Sequence, residues 1–155
     1  VGQLKLIPNA WPDPGQAQPL AQFSDQIALL AYRIEGCETG RLACQISLTW
    51  LAQGQPSADY TVFIQLWPQR PSQAGPTFYG FDAPPLTNDY PTSLWAPNEV
   101  IIDPHHLALG ELPAGLYQIR LGLYEPASGE RLAAFQGDQP LPDNRLILDT
   151  LELSP

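Results

Sequence analysis

Eighteen prolines are spread over the 155 residues and leave few windows in which a helix could run. A helix needs apolar residues at i, i+3, i+4 and i+7, and an interior proline removes a hydrogen bond and clashes with the turn before it. The apolar residues recur instead with a period of two. In residues 44–51, Ile46, Leu48 and Trp50 alternate with Gln45, Ser47 and Thr49. In 60–67, Tyr60, Val62, Ile64 and Leu66 form an inner set, with Thr61 and Gln65 outside. In 116–124, Tyr117, Ile119, Leu121 and Leu123 point inward and Gln118 and Arg120 outward. Such alternation marks strands with one buried face. Further strands are predicted over 26–34, 99–103, 131–135 and 145–153, with a short one within 78–81. In 26–34, Ile27 and Leu29 take one face and Leu30, Tyr32 and Ile34 the other. Pro104 is expected to close the 99–103 strand, and 105–109 reads as one helical turn or a strand.

About seven or eight short strands separated by Gly/Pro turns predict an all-β protein, an antiparallel β-sandwich of immunoglobulin-like or jelly-roll type. Residues 1–22 read as an N-terminal edge strand at 4–7 and an extended arm. Residues 23–155 read as the sandwich, the whole forming one domain. Gly115 and Gly129 suit turns that need positive φ. Gly122, inside a strand, predicts a bulge or a close backbone approach. Arg131 is positioned to pair with Glu125 or Glu130.

Charge narrows the function classes. The net charge is −9, with seven Lys and Arg, so the basic footprint of a nucleic-acid or anionic-lipid binder is missing. No apolar run approaches the roughly 18 residues of a membrane-spanning helix, and no direct membrane insertion is expected. The chain opens at Val1, which we read as a processed or excised piece of something longer. Cys37 and Cys44 flank six residues that read as a hairpin tip. They either form a disulfide or stand as two free thiols. We expect the disulfide, worth about 2–3 kcal/mol for so short a loop, and with it an oxidising compartment.

No nucleophile elbow, zinc-protease helix, phosphate loop or dinucleotide fingerprint is present, so no enzyme activity and no cofactor are expected. His105 and His106 read as surface residues after Pro104. Asp82, Asp89 and Glu99 offer acids for a glycosidase, but a chain with 16 acids places several in loops by chance. Asn88-Asp89 and Asp143-Asn144 carry oxygen ligands without the ordered spacing of a calcium loop, and no metal site is expected.

The long region 69–98 is more informative, because irregular stretches of that length are commonly functional. Trp67, Phe78, Tyr79, Phe81, Tyr90 and Trp95 lie in or beside it, with Asp82, Asn88, Asp89 and Asn98. Aromatic faces stack on the C–H surface of sugar rings while such polar groups bond the hydroxyls, and Trp67, Tyr79, Phe81, Asp82, Asn88, Asp89, Tyr90 and Trp95 are the candidate ligand-binding set. The same rings could equally pin the loop to the sandwich, and Trp50 reads as core.

A wider pattern runs through Phe23-Ser24-Asp25-Gln26-Ile27-Ala28-Leu29, Leu48-Thr49-Trp50, Asp59-Tyr60-Thr61-Val62-Phe63-Ile64-Gln65-Leu66, and Tyr90-Pro91-Thr92-Ser93-Leu94-Trp95. It continues in Val100-Ile101-Ile102-Asp103, Leu112-Pro113-Ala114-Gly115-Leu116-Tyr117 and Gly122-Leu123-Tyr124-Glu125-Pro126-Ala127-Ser128-Gly129-Glu130-Arg131-Leu132. Over residues 23–153 this resembles the C-terminal soluble β-sandwich modules of bacterial multi-pass membrane glycosyltransferases similar to protein mannosyltransferases. Pro97-Asn98-Glu99 stands where such modules are expected to have Pro-Gly-Glu. The resemblance implies a non-catalytic accessory module, periplasmic or at the cell surface, belonging to a membrane-anchored protein. The expected partner is a glycan, or else the protein's own transmembrane portion or a membrane partner.

Overall fold

The computed structural model describes residues 18–37, 44–70 and 74–154. The edge strand expected at 4–7 and most of the arm lie outside the described residues, as does the tip between the cysteines. Ten strands are described: β1 (Ala21–Phe23), β2 (Ile27–Glu35), β3 (Cys44–Ala52), β4 (Thr61–Pro68), β5 (Tyr79–Ala83), β6 (Val100–Leu107), β7 (Gly115–Tyr124), β8 (Ala134–Gln136), β9 (Gln139–Pro140) and β10 (Leu146–Leu153). They form two antiparallel sheets. One has the order β6-β3-β2-β1-β8-β9, the other β10-β7-β4-β5. The sandwich expected from the alternation is the fold.

The core is the set of inward residues of both sheets. Ile46, Leu48 and Trp50 on β3 meet Val62, Ile64 and Leu66 on β4 and Ile119, Leu121 and Leu123 on β7, all fully buried. Phe23 packs edge-on against Trp50 at 5.9 Å. Cys37 and Cys44 are buried and disulfide-bonded, joining the end of β2 to the start of β3.

Two strand expectations are corrected. Within β2 the register shifts between Leu29 and Ala31, so Leu30 has no partner on β3. Past this bulge Tyr32 pairs with Leu48 and Ile34 with Ile46, on the same core face as Ile27 and Leu29. A bulge inserts one residue and restores the facing that a strict period of two would reverse. Leu30 turns instead to the opposite side of the sheet with Ala28 and Leu51. The second correction is Pro104, which does not end its strand. β6 runs through it to Leu107. β6 is the outer strand of its sheet, where a residue with no N–H to donate is tolerated.

That continuation buries His105, so the expectation that both histidines lie on the surface holds only for His106. His105 Nε2 lies 2.6 Å from Asp103 Oδ2. The same carboxylate is fully buried and accepts from Trp50 Nε1 at 3.1 Å and from the Leu86 N–H at 2.8 Å. Leu86, Thr87 and Asn88 all hold left-handed φ, at 53°, 50° and 72°. Such a run costs about 1–2 kcal/mol per residue, and the bond to Asp103 fixes its first member. Asn98 takes φ 67° at the place where the resembling modules are expected to carry glycine. Asparagine tolerates that conformation, so the turn is kept. Gly115 and Gly129 carry φ of 145° and 77°, as their turns require.

The two sheets are also joined by an exposed side-chain bond. Tyr32 on β2 donates to Asp149 Oδ2 on β10 at 2.8 Å. Burial first, then this bond and the nearby carboxylate charge, push the phenol up to about 12.

Replacing Asp103 with alanine leaves three donors facing its site without an acceptor. Asp103→Ala is therefore expected to lower unfolding free energy by about 3–5 kcal/mol, read by urea titration, with Asp103→Asn falling between it and the parent. A loss below about 1 kcal/mol would remove the network from its structural role. Tyr32 gives a pH test. Its folded-state pKa is raised above the ordinary value, so the stability it contributes is full below pH 10 and is lost as pH rises from 10 to about 12. Tyr32→Phe should flatten that alkaline decline in thermal melts and remove the latest step of the phenolate absorbance titration.

Candidate functional site

In β4 and β7 the residues that do not enter the core must point out of the sandwich. Cross-strand pairing groups them: Phe63 with Gly122, Gln65 with Arg120 and Trp67 with Gln118. On the β5 side, Asp82 pairs with Phe63 and Gly80 with Gln65. On the β10 side, Ile147 lies opposite Arg120 and Thr150 opposite Gln118. The outer face of the four-stranded sheet thus carries aromatic rings, amides and guanidinium groups in adjacent rows.

Trp67 is its centre. Phe78 stacks on it with centroids 5.1 Å apart and 22° between planes. The guanidinium carbons of Arg120 and Arg145 lie 4.0 and 4.9 Å from the same ring centre, within cation–π range. Gln65, almost fully buried, accepts from Trp67 Nε1 at 2.9 Å and from Arg145 Nη1 at 3.0 Å. Arg120 donates through Nε to Gln118 at 2.7 Å. The large apolar groups left to solvent on this face are Phe78, Leu116 and Ile147, exposed by 37%, 49% and 57%.

Next to Trp67, where β4 ends and β7 begins, the surface opens into a cleft of about 460 Å³. Pro68, Arg70, Pro76, Tyr79, Leu116 and Tyr117 line it. Tyr79 meets Tyr117 edge-on at 6.2 Å. A second, smaller cavity of about 240 Å³ lies beside β5 and β6 and is lined by Phe81, Asp82, Thr87, His105 and His106.

Phe63 is held by an absence. A Cβ on Gly122 would lie 2.5 Å from Phe63 Cζ and 2.9 Å from the Asn144 carbonyl, so only glycine lets the ring cross the strand there. This is the close approach that the in-strand glycine predicted. Arg131 covers the same ring at 4.6 Å and donates through Nη1 to the Asp143 carbonyl at 2.9 Å. The expected pairing of Arg131 with Glu125 or Glu130 is thus replaced by these two contacts.

The eight residues singled out from the sequence divide. Trp67 and Asp82 lie on the outer face, separated along the strands by four residues, or about 13 Å. Asp82 accepts from Tyr124 at 3.0 Å, which together with burial, the larger cause, raises that phenol above its ordinary range. Tyr79 and Phe81, the alternate residues of β5, turn toward the core and are half-buried; Tyr79 reaches the cleft. Asn88, Asp89, Tyr90 and Trp95 belong to the loop at the other end of β4.

That loop is anchored rather than open. Trp95 is fully buried and donates to the Tyr90 carbonyl at 2.9 Å. Thr92 Oγ1 donates to the Ala58 carbonyl and accepts from the Tyr60 N–H. Tyr90 donates to Glu99 at 2.6 Å, a bond that raises its pKa. Trp95 is therefore corrected from a stacking surface to a loop anchor, since no face of its ring is free. Trp67 is corrected in part: it is the base of a stack whose exposed member is Phe78.

Sequence reasoning left Phe63, Gln65, Gln118, Arg120 and Arg145 out of the site. The signal was present for the strand residues. Gln65, Gln118 and Arg120 were assigned to outward faces, and Trp67 continues the same parity. What was not available was the pairing of β4 with β7, which sets those faces side by side.

No family model matches the chain, and no curated protein matches it. Among solved structures, six chains match. One is the C-terminal domain of Wzt, with a TM-score of 0.57 and 12% identity over 97% of this chain and 84% of that one. The likeness is one of fold.

Gly122→Ala tests how tightly the outer face is packed. The added methyl must displace Phe63 or the Asn144 carbonyl, and a stability loss of about 1–3 kcal/mol is expected in chemical unfolding. Reduced intrinsic stability should appear without loss of the strand signal in far-UV circular dichroism.

Proposed function

We propose that this chain is a carbohydrate-binding module, with no chemical step of its own, that forms the extracytoplasmic part of a larger membrane-anchored protein. The observation that carries the reading is the Trp67–Phe78 stack, set among guanidinium and amide groups on an exposed sheet face and running into an open cleft. A sugar ring offers an apolar C–H face to Phe78 and hydroxyls to Gln118, Arg120 and the rim of the cleft. The match in fold to the C-terminal domain of Wzt is compatible with this reading. The resemblance to glycosyltransferase-associated modules points the same way, and the Cys37–Cys44 bond supports an oxidising compartment.

A second reading is favoured by Leu116 and Ile147, whose exposed apolar side chains share the face with Phe78. In it the face packs against the protein's own membrane portion or a partner protein, with no saccharide ligand.

Affinity electrophoresis in gels containing neutral and acidic bacterial and plant polysaccharides separates the two. Retardation by at least one polymer is expected, weakened about three- to tenfold by Phe78→Ala, the loss of one aromatic contact worth about 0.5–1.5 kcal/mol. Phe78 is exposed, so the variant's thermal midpoint should stay close to the parent's. No retardation across the panel would favour the packing reading.

A further inference from the structure

The outer face gathers three guanidinium groups, with Asp82, Asp143 and Glu152 as the acids around them. The chain has 16 Asp and Glu against seven Lys and Arg, yet three of those seven, Arg120, Arg131 and Arg145, gather here. Arg120 and Arg145 converge on a single indole. Like charges so placed repel. Burial first and then Arg145 hold the Arg120 guanidinium below its ordinary pKa, with only Asp143 acting in the other direction.

Asp143 does not neutralise both. It is paired with Arg145 Nη2 at 2.9 Å and is itself largely exposed. On the neighbouring strands Arg120 faces Gln65 and Ile147, neither of them an acid. Its Nε is taken by Gln118, and among the described residues no partner takes its two terminal nitrogens. Arg145 bonds Gln65 and Asp143 through its terminal nitrogens, while its Nε is buried with no partner. Trp67 fixes the plane of the Arg120 fork, and a planar fork with free donors matches a carboxylate or phosphate in two-point contact.

We propose that this face binds a glycan carrying an anionic substituent, a carboxylate or a phosphate, whose oxygens take the free terminal nitrogens of Arg120 in the field of Arg145. The proposal rests on the carbohydrate reading above and narrows it. A net charge of −9 repels polyanions from the molecule as a whole, so such a ligand is held only where a local site overcomes that field.

The test uses four immobilised polymers: polygalacturonate, its carboxyl-reduced neutral form, phosphomannan, and the same mannan after dephosphorylation. Retardation by an anionic polymer and not by its neutral counterpart is expected, and which of the two anionic polymers retards separates carboxylate from phosphate. Arg120→Gln should weaken it about tenfold or more, the loss of a charged hydrogen-bonded contact. Arg120→Lys should recover part of it, since the charge returns without the fork. Should Arg120→Gln fail to fold, the parent protein still decides, because charge-held retardation fades as salt rises and retardation by neutral sugar does not. Equal retardation by charged and neutral forms, unchanged by Arg120→Gln, would overturn the anionic class and leave the carbohydrate reading standing. No retardation by these four or by the wider panel overturns both.

Discussion

The buried carboxylate of Asp103 is the point on which the rest of the molecule closes. Taking a carboxylate fully out of water is costly unless its oxygens are bonded. Here Oδ2 receives Trp50 and His105 and Oδ1 receives the Leu86 amide. The three donors come from the middle of β3, from β6 itself and from the loop that joins β5 to β6. One group therefore orients the largest core side chain, holds the outer strand and pins a left-handed turn. Because Leu86 belongs to the crossover between the two sheets, the same bond sets where that crossover leaves β5.

Much of this architecture is legible in the sequence, for a physical reason. A strand with one wet face must alternate, and in β3, β4 and β7 every second residue enters the core. Where the chain breaks the rule, the reading breaks too. Leu30 is one extra residue in β2, and nothing in Leu29-Leu30-Ala31 announces that the pairing skips it. Pro104 is a reliable terminator inside a sheet but not on its rim, and strand order is a tertiary fact. The burial of His105 follows from the same error, since extending β6 by alternation places Asp103 and His105 together on the inner side.

The site was less legible, and for a different reason. Loop 69–98 concentrates aromatics and acids in sequence, which makes it conspicuous, but its Tyr90, Thr92 and Trp95 are consumed in holding the loop down. The outer face is dispersed. It takes Phe63, Gln65 and Trp67 from β4, Phe78 from the approach to β5, and Gln118 and Arg120 from β7, and Arg145 arrives from just before β10. Each residue alone is an ordinary outward side chain. Only antiparallel pairing, with strands about 5 Å apart, makes neighbours of residues 51 to 59 positions apart.

These dispersed residues are also interlocked, and this bears on how they would bind. The small size of Gly122 lets Phe63 lie across the strand. Arg131 covers Phe63 and is tied to the Asp143 carbonyl. The Asp143 side chain holds Arg145, Arg145 shares Gln65 with Trp67, and Trp67 carries both Phe78 and Arg120. The path runs through contacts of fixed geometry from the interior of β7 to the exposed ring and the free guanidinium nitrogens. Ordering a long side chain at the moment of binding costs about 0.5–1.5 kcal/mol, and here that ordering is already done by the fold. A face of this kind can bind weakly interacting, heavily hydrated ligands that a flexible surface would not retain, because little of each contact's free energy is lost to arranging the groups that make it.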